Sequence, residues 1–206
     1  VVAKTDPAGG AKGTSLVIVE TDEVEGFRRG RKLDKIGVHA QDTSELFFED
    51  VRVPASNLLG EGEGRGFISL MEQLPSERLQ IALQGVAMIE RAIEETVKYT
   101  RERKAFGKAI IDFQNTQFVL ADCKAKAVVA RVFCNWAVGQ LLAGKLDAYT
   151  ASMAKLWVTD EQVKIVDACL QLFGGYGYMN EYPIAQMYRD ARVQKIYGGT
   201  NEIMKV

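Results

Sequence analysis

The sequence predicts a mainly α protein, an antiparallel four-helix bundle preceded by a partial antiparallel β domain. Three observations predict it. β-branched and aromatic residues run together in short stretches through about the first 60 positions, the mark of strands. A polar, glycine-rich joint follows, residues 59 to 66, Leu-Gly-Glu-Gly-Glu-Gly-Arg-Gly. From Phe67 onward strand signals vanish and apolar residues recur every three or four positions, the period of an amphipathic helix. The joint is therefore the expected domain boundary, dividing residues 1–65 from 66–206.

Within the first part, residues 14–20 and 45–53 are the expected strands, the second ended by Pro54. Gly26, Gly30 and Gly37 punctuate the stretch between them, and no turn signature sets a register. The second part opens on a long helix expected over Leu74–Lys108, a rod of roughly 45–50 Å. Pro75 suits its start and Gly107 its stop. Leu79, Ala82, Val86, Ile89, Ile93 and Val97 share one face, while Arg91, Glu94 and Lys98 lie opposite, with Glu94 and Lys98 a favourable pair. Residues 115–143 repeat Phe118, Ala121, Ala125, Val128, Val132 and Trp136 at helical spacing and end at Gly144. Residues 147–173 do the same with Ala151, Ala154, Val158, Ile165 and Leu172. A shorter helix is expected over 183–196. Short links between such helices imply antiparallel packing.

Composition narrows the function. Lys and Arg total 26 against 27 Asp and Glu, so the chain is near neutral, which argues against a nucleic-acid or anionic-membrane surface as the main partner. No stretch is apolar enough to span a membrane. Cys123, Cys134 and Cys169 sit inside helical patterns without metal-ligand spacing and are expected as reduced core thiols. His39 is the only histidine, which nearly excludes multi-imidazole zinc sites and Ser-His-Asp triads, since a lone histidine is more often a surface or core residue, and no metal is expected. Val1 is not a methionine, and the last residues break off in what reads as a helix. We therefore expect a piece of a longer protein.

Three features could carry chemistry. Glu77, Ile81, Gly85, Met88 and Ala92 form a second stripe on the long helix, a carboxylate heading a groove of small and apolar groups. From spacing alone the ordinary reading prevails, an acid complementing the dipole of a first turn. Arg101, Arg103, Lys104 and Phe106 cluster at the other end of the helix, where basic residues are also usual. Two glycine turns, residues 171–178 (Gln-Leu-Phe-Gly-Gly-Tyr-Gly-Tyr) and 197–200 (Tyr-Gly-Gly-Thr), could offer free backbone N–H groups to an anion or a carbonyl oxygen, but each singly reads as a plain connection. Thr200 is a plausible N-cap for a last helix.

Taken together, these residues resemble the acyl-CoA dehydrogenase family over essentially the whole chain. The resemblance is carried by residues 35–37 (Lys-Ile-Gly), 44–54 (Ser-Glu-Leu-Phe-Phe-Glu-Asp-Val-Arg-Val-Pro), 57–60 (Asn-Leu-Leu-Gly) and 101–107 (Arg-Glu-Arg-Lys-Ala-Phe-Gly). Gln114, residues 171–178, Arg189-Asp190 and residues 196–203 (Ile-Tyr-Gly-Gly-Thr-Asn-Glu-Ile) complete it in the family's order. It implies a homotetrameric FAD enzyme, a dimer of dimers, in which residues 1–65 are the C-terminal part of a middle β domain. Residues 66–206 would be the bundle domain without its final residues. Arg103 and Phe106 would contact the FAD of a neighbouring subunit, Arg103 near the pyrophosphate. Gln171, Gly174 and Gly175 would contact the adenosine side of that flavin. Thr200 and Glu202 would contact the flavin of their own subunit. Arg78 and Gly199 would bind the substrate.

The family's reaction is dehydrogenation of an acyl-CoA thioester to a trans-2-enoyl-CoA, a step of fatty-acid β-oxidation, with electrons passed to an electron-transferring flavoprotein. Many members carry the catalytic glutamate immediately before the Gly-Thr of the last loop, where this chain has Gly198. The long-chain and isovaleryl types carry it on the long helix before an arginine, which Glu77-Arg78 matches, and the last loop resembles the long-chain type. The resemblance thus makes Glu77 the expected general base, a carboxylate that should work in a dry site. It makes the N–H of Gly198 the expected donor to the thioester oxygen, with hydride going to the flavin. A long or branched acyl chain is expected, in bacterial cytoplasm or the mitochondrial matrix. The competing expectations are an acyl-CoA oxidase and a non-catalytic, oligomerising helical fragment that binds no flavin.

Overall fold

A computed structural model describes every residue except Glu23, and it divides the chain into two compact units. The first comprises Val1–Lys35 and His39–Leu74. Strands β1 (Val2–Lys4), β2 (Thr14–Val17) and β5 (Leu58–Leu59) form an antiparallel sheet with β2 in the middle. β2 stops short of the expected Glu20, because its partner β5 begins only at Leu58 and Ile18 instead meets Asn57, the end of a 3-10 turn, receiving its side-chain amide at 3.1 Å. β3 (Phe27–Lys32) and β4 (Ser44–Phe48) make a separate antiparallel pair with Phe27 opposite Phe48. β3 escapes sequence reading because it is mostly charged. Cross-strand contacts support it instead: Phe27 lies 5.2 Å from Phe48, and Arg28 stacks 4.0 Å over Phe47.

The second unit comprises Ile36–Val38 and Pro75–Val206. Helix α1 runs over Gly66–Glu102, so it starts eight residues before the expected position, and Pro75 lies inside it. The glycine-rich joint, not the proline, ends the preceding structure, and the lost N–H falls in a largely exposed stretch where a helix tolerates it. Gly107 does not stop α1 either. Phe106 (φ 52°) and Gly107 (φ 82°) are the central residues of a tight hairpin between β6 (Lys104–Ala105) and β7 (Lys108–Ala109), the paired positive φ that a two-residue hairpin needs.

Helices α2 (Gln114–Leu142) and α3 (Ala148–Leu172) lie within a residue or two of expectation, and Asp147 caps α3 by accepting from Thr150 N at 2.6 Å. The shorter helix expected over 183–196 is split into α4 (Pro183–Ala191) and a 3-10 turn over Arg192–Lys195. The expected closing helix is only a 3-10 turn, Ile203–Lys205. One apolar core joins the four helices: Ala82, Val86 and Ile89 from α1, Ala127 and Ala130 from α2, Ala154, Val158 and Ile165 from α3, and Ile184 from α4. All three cysteines are buried and unpaired.

Three expectations about faces are corrected. Arg91, not Lys98, pairs with Glu94, at 2.9 Å. The α2 stripe read from the sequence is the outward one: Phe118, Val128, Val132 and Trp136 are 49–64 % exposed, while Thr116, Leu120, Cys123, Ala127, Ala130 and Cys134 pack inward. α2 is apolar on both sides, so periodicity could not choose. The Gly85–Met88 groove on α1 is not open. A Cβ at Gly85 would lie 2.8 Å from Val158 Cγ1, and the Gln162 amide sits 2.9 Å from Met88 Sδ, so α3 fills the groove.

Gly85→Leu should therefore destabilise the protein by about 1–3 kcal/mol through overpacking. Val158→Ala should recover part of the loss in the double variant, because the sites share one contact. Urea unfolding midpoints of the single and double variants check this, and an unchanged midpoint for Gly85→Leu would show that the helices do not meet there.

Candidate functional site

The turn at residues 197–201 is held by two helices. Gly198 (φ 66°) and Gly199 (φ 94°) both occupy the left-handed region, which glycine enters without strain. Arg78 Nε on α1 donates to Gly198 O at 3.2 Å, and its Nη1 donates to Ser152 Oγ on α3 at 3.1 Å. Lys155 Nζ on α3 donates to Gly199 O at 2.7 Å and to Asn201 Oδ1 at 2.8 Å. The Asn201 amide in turn donates to Thr159 Oγ1 and Asp160 Oδ1, each at 3.0 Å. With both carbonyls occupied, the N–H groups of Gly198, Gly199 and Thr200 donate to nothing among the described residues.

Glu77 is exposed, one residue from Arg78 and one helical turn before Ile81. Ile81 Cδ1 would lie 2.5 Å from a Cβ built on Gly198, so α1 packs against the turn one helical turn beyond Glu77. Because α1 begins at Gly66, Glu77 lies beyond the first turn, and the dipole reading of this acid fails. The dry wall expected beside it is also absent from this chain's own packing, since Gly85 and Met88 are taken by α3. Thr200 does not act as an N-cap through its side chain. Glu202 is exposed, and its own backbone N–H and the Thr200 hydroxyl hold its carboxyl below the usual range. Burial, reinforced by Arg78, pushes Lys155 down to about 8. Burial pushes Asp160 up, but Lys195 (2.7 Å) and Asn201 outweigh it and hold the carboxyl low.

Near the other end of α1 and α3 lies a cavity of about 470 Å³, lined by Tyr99, Arg103, Phe173, Gly174, Gly175 and Tyr176 among others. Tyr99 stacks on Phe173 at 4.2 Å and donates to its carbonyl at 3.1 Å, and the Arg103 guanidinium lies 5.6 Å over Tyr176. No atom lies within 4 Å of a Cβ built at Gly174 or Gly175, so their backbone is open to approach. A cation, aromatic faces and bare backbone suit a flat ring bearing negative charge. Phe106 (96 % exposed) and Gln171 (exposed) stand outside this lining.

Elsewhere, two of the distant sequence motifs meet. Val38 N donates to Asp190 Oδ1 at 2.6 Å, and a Cβ on Gly37 would collide with that oxygen. Sequence reading missed Lys155, Ser152 and Asn201. The signal for Lys155 was present: a lysine four residues after Ala151 and three before Val158, on the buried face of α3.

Comparison with known proteins identifies the family. Residues 64–206 match the family model described as the acyl-CoA dehydrogenase C-terminal domain. The long-chain specific acyl-CoA dehydrogenase of Rattus norvegicus mitochondria is 52 % identical over 195 residues, covering 95 % of this chain and 45 % of that protein. A crystal structure of acyl-CoA dehydrogenase from Geobacillus kaustophilus superimposes with a TM-score of 0.95 at 47 % identity, covering 100 % of this chain and 54 % of the other. A structure described as electron transferring flavoprotein of Acidaminococcus fermentans does so at 0.94 and 40 %, covering 100 % and 53 %. The chain thus spans about half the length of the curated relatives it matches. Among the described residues no helix is long and apolar enough to cross a membrane, and no cluster suits a metal ion. On these matches the chain belongs to the acyl-CoA dehydrogenase family.

Proposed function

We propose that the protein containing this chain dehydrogenates acyl-CoA thioesters to trans-2-enoyl-CoA, with Glu77 as general base and the turn at Gly198 as oxyanion site. The observation that carries the reading is the grip of Arg78 and Ile81 on that turn. These two neighbours of Glu77 on α1 support reading the helix acid together with the loop N–H groups, and position 198 is a glycine that offers no carboxylate. Glu77 removes the α-proton. The Gly198 N–H, aimed by the turn, stabilises the charge that develops on the thioester oxygen. Arg78 and Gly199 bind the substrate, whose own acyl chain excludes water from Glu77.

The cavity at Arg103, Gly174 and Gly175 fits the pyrophosphate and adenosine side of FAD, and Phe106 and Gln171, outside its lining, are assigned to the same flavin. Thr200 and Glu202 are assigned to the flavin of their own subunit. Bound FAD supplies the hydride acceptor. A long acyl chain is favoured by the rat relative, and an electron-transferring flavoprotein as acceptor by the Acidaminococcus structure. Residues 1–65 are read as part of the family's β domain and 66–206 as its bundle domain, assembled as a homotetramer. The outward stripe of α2, Phe118 to Trp136, is the face we assign to subunit contacts, and Val132→Glu should lower the mass measured by light scattering.

Glu77→Gln in the full-length protein should leave the flavin spectrum intact and slow flavin reduction by acyl-CoA about 10²–10⁴-fold. Stopped-flow absorbance measures it, and a near-normal rate would remove Glu77 as the base. Restoring activity with Gly198→Glu in that background should require shortening Ile81 as well, because Ile81 Cδ1 occupies the space of the new side chain. Arg103→Ala should release FAD more readily on dilution, since a charge-assisted phosphate contact is lost. Unchanged retention would exclude Arg103 from the flavin site.

A further inference from the structure

Lys155 is fully buried, with 0 % exposure, and the reaction proposed above gives it no task. Neither of its acceptors is a carboxylate: they are Gly199 O and the Asn201 amide oxygen. The charged groups that face it are Arg78 from α1, Asp160 on its own helix, Lys195 from the 3-10 turn after α4, and Glu202 beyond the loop. Asp160 is engaged with Lys195 and Asn201, and Glu202 with Thr200. Burying a cation without a carboxylate partner is unfavourable, and an apolar side chain would pack there at less cost. What Lys155 adds is its hold on the loop. A trans peptide points its N–H opposite to its C=O. With Arg78 drawing in the Gly198 carbonyl and Lys155 the Gly199 carbonyl, the next N–H groups, of Gly199 and Thr200, are turned outward. The turn that carries the Gly198 N–H is fixed by the same pair.

We propose that Lys155 is a positioning residue for the oxyanion loop, pinning the glycine turn from behind and setting a positive charge on the carbonyl side of its peptides. This rests on the reading of that loop given above. The charge polarises the peptide that joins the Gly199 carbonyl to the Thr200 N–H, and the hold on that carbonyl keeps the turn in the conformation that presents the Gly198 N–H to the thioester oxygen.

The test uses the full-length, FAD-loaded protein with Lys155→Met, which keeps the length without donor or charge, and Lys155→Gln, which keeps a donor without charge. The limiting rate of flavin reduction by an acyl-CoA should fall about 10- to 100-fold in Lys155→Met and less in Lys155→Gln, with Kd for the acyl-CoA changed by no more than about threefold. A second readout needs no turnover. Calorimetry should show that wild type prefers a 2-enoyl-CoA over an S-alkyl-CoA thioether lacking the carbonyl, and that Lys155→Met narrows this preference. A merely structural role would weaken both ligands alike. The Lys155 cation is present below its pKa and lost above it, so the wild-type rate should decline as pH passes about 8. That decline should be missing in both variants, and if Lys155→Met does not fold, the wild-type and Lys155→Gln profiles decide. A Lys155→Met rate within about threefold of wild type, an unchanged thioester preference, or coincident pH profiles would each overturn the proposal. A normal rate in Glu77→Gln would instead remove the base assignment and leave Lys155 to the thioester preference. Failure of any acyl-CoA to reduce the wild-type flavin would remove both.

Discussion

The side-chain contact of the parallel helices α1 and α3 is the constraint on which the rest of the second unit depends. Arg78 meets Ser152, Met88 meets Gln162 and Tyr99 meets Phe173, each across the same sequence offset of 74 residues. Gly85 permits this contact by leaving room for Val158 where a side chain would stand. Helices whose side chains interlock in constant register at three levels cannot slide independently, so both ends of the pair are fixed relative to one another. α2 runs antiparallel beside α3, tied to it by Lys126 and Glu161 at 3.6 Å and to α1 by the paired contact of Arg131 with Glu90.

Each end of the pair then carries one candidate site. At the N-terminal end, Arg78 and Lys155 reach the glycine turn from opposite helices, and each takes one carbonyl. At the other end, the Tyr99–Phe173 stack forms one wall of the cavity in which Arg103 and the Gly174–Gly175 backbone face the same space. From Arg78 to Tyr99 the helix rises about 30 Å, so the two ends can serve different parts of one extended ligand or different ligands. Neither site is made by a single element, and each relies on the register between α1 and α3 for its geometry.

Hydrogen bonding in the turn is divided between inward carbonyls and outward N–H groups. Such a division requires donors on the inner side, and a protein interior supplies few strong ones. A guanidinium bridging to Ser152 and an ammonium shared with Asn201 meet the requirement. Burial lowers the pKa of that ammonium, and with Arg78 nearby the local charge is positive behind the turn. The same fixed dipoles and charges would be ineffective in water, where solvent reorients to cancel them.

Much of this protein was legible in its sequence, because helical periodicity reports burial directly wherever a helix has one apolar face. Leu79, Ala82, Val86 and Ile89 on α1 and Ala151, Ala154 and Val158 on α3 are buried as their spacing implies. The short motifs, running in a fixed order along the chain, were enough to mark the family. Periodicity fell silent where a helix is apolar all round, and for α2 only packing selected Cys123 and Ala127 as inward and Val132 and Trp136 as outward. Nor could it separate a proline at a helix start from Pro75 inside one, or a glycine that ends a helix from Gly107 in a hairpin, since each residue suits both settings. The stripe through Gly85 looked like an open groove because a sequence shows that space exists but not what fills it. Lys155 and Asn201 came together across 46 residues through tertiary packing alone. Their role depends on which carbonyl each donor reaches, and that is settled only when the helices close on the turn.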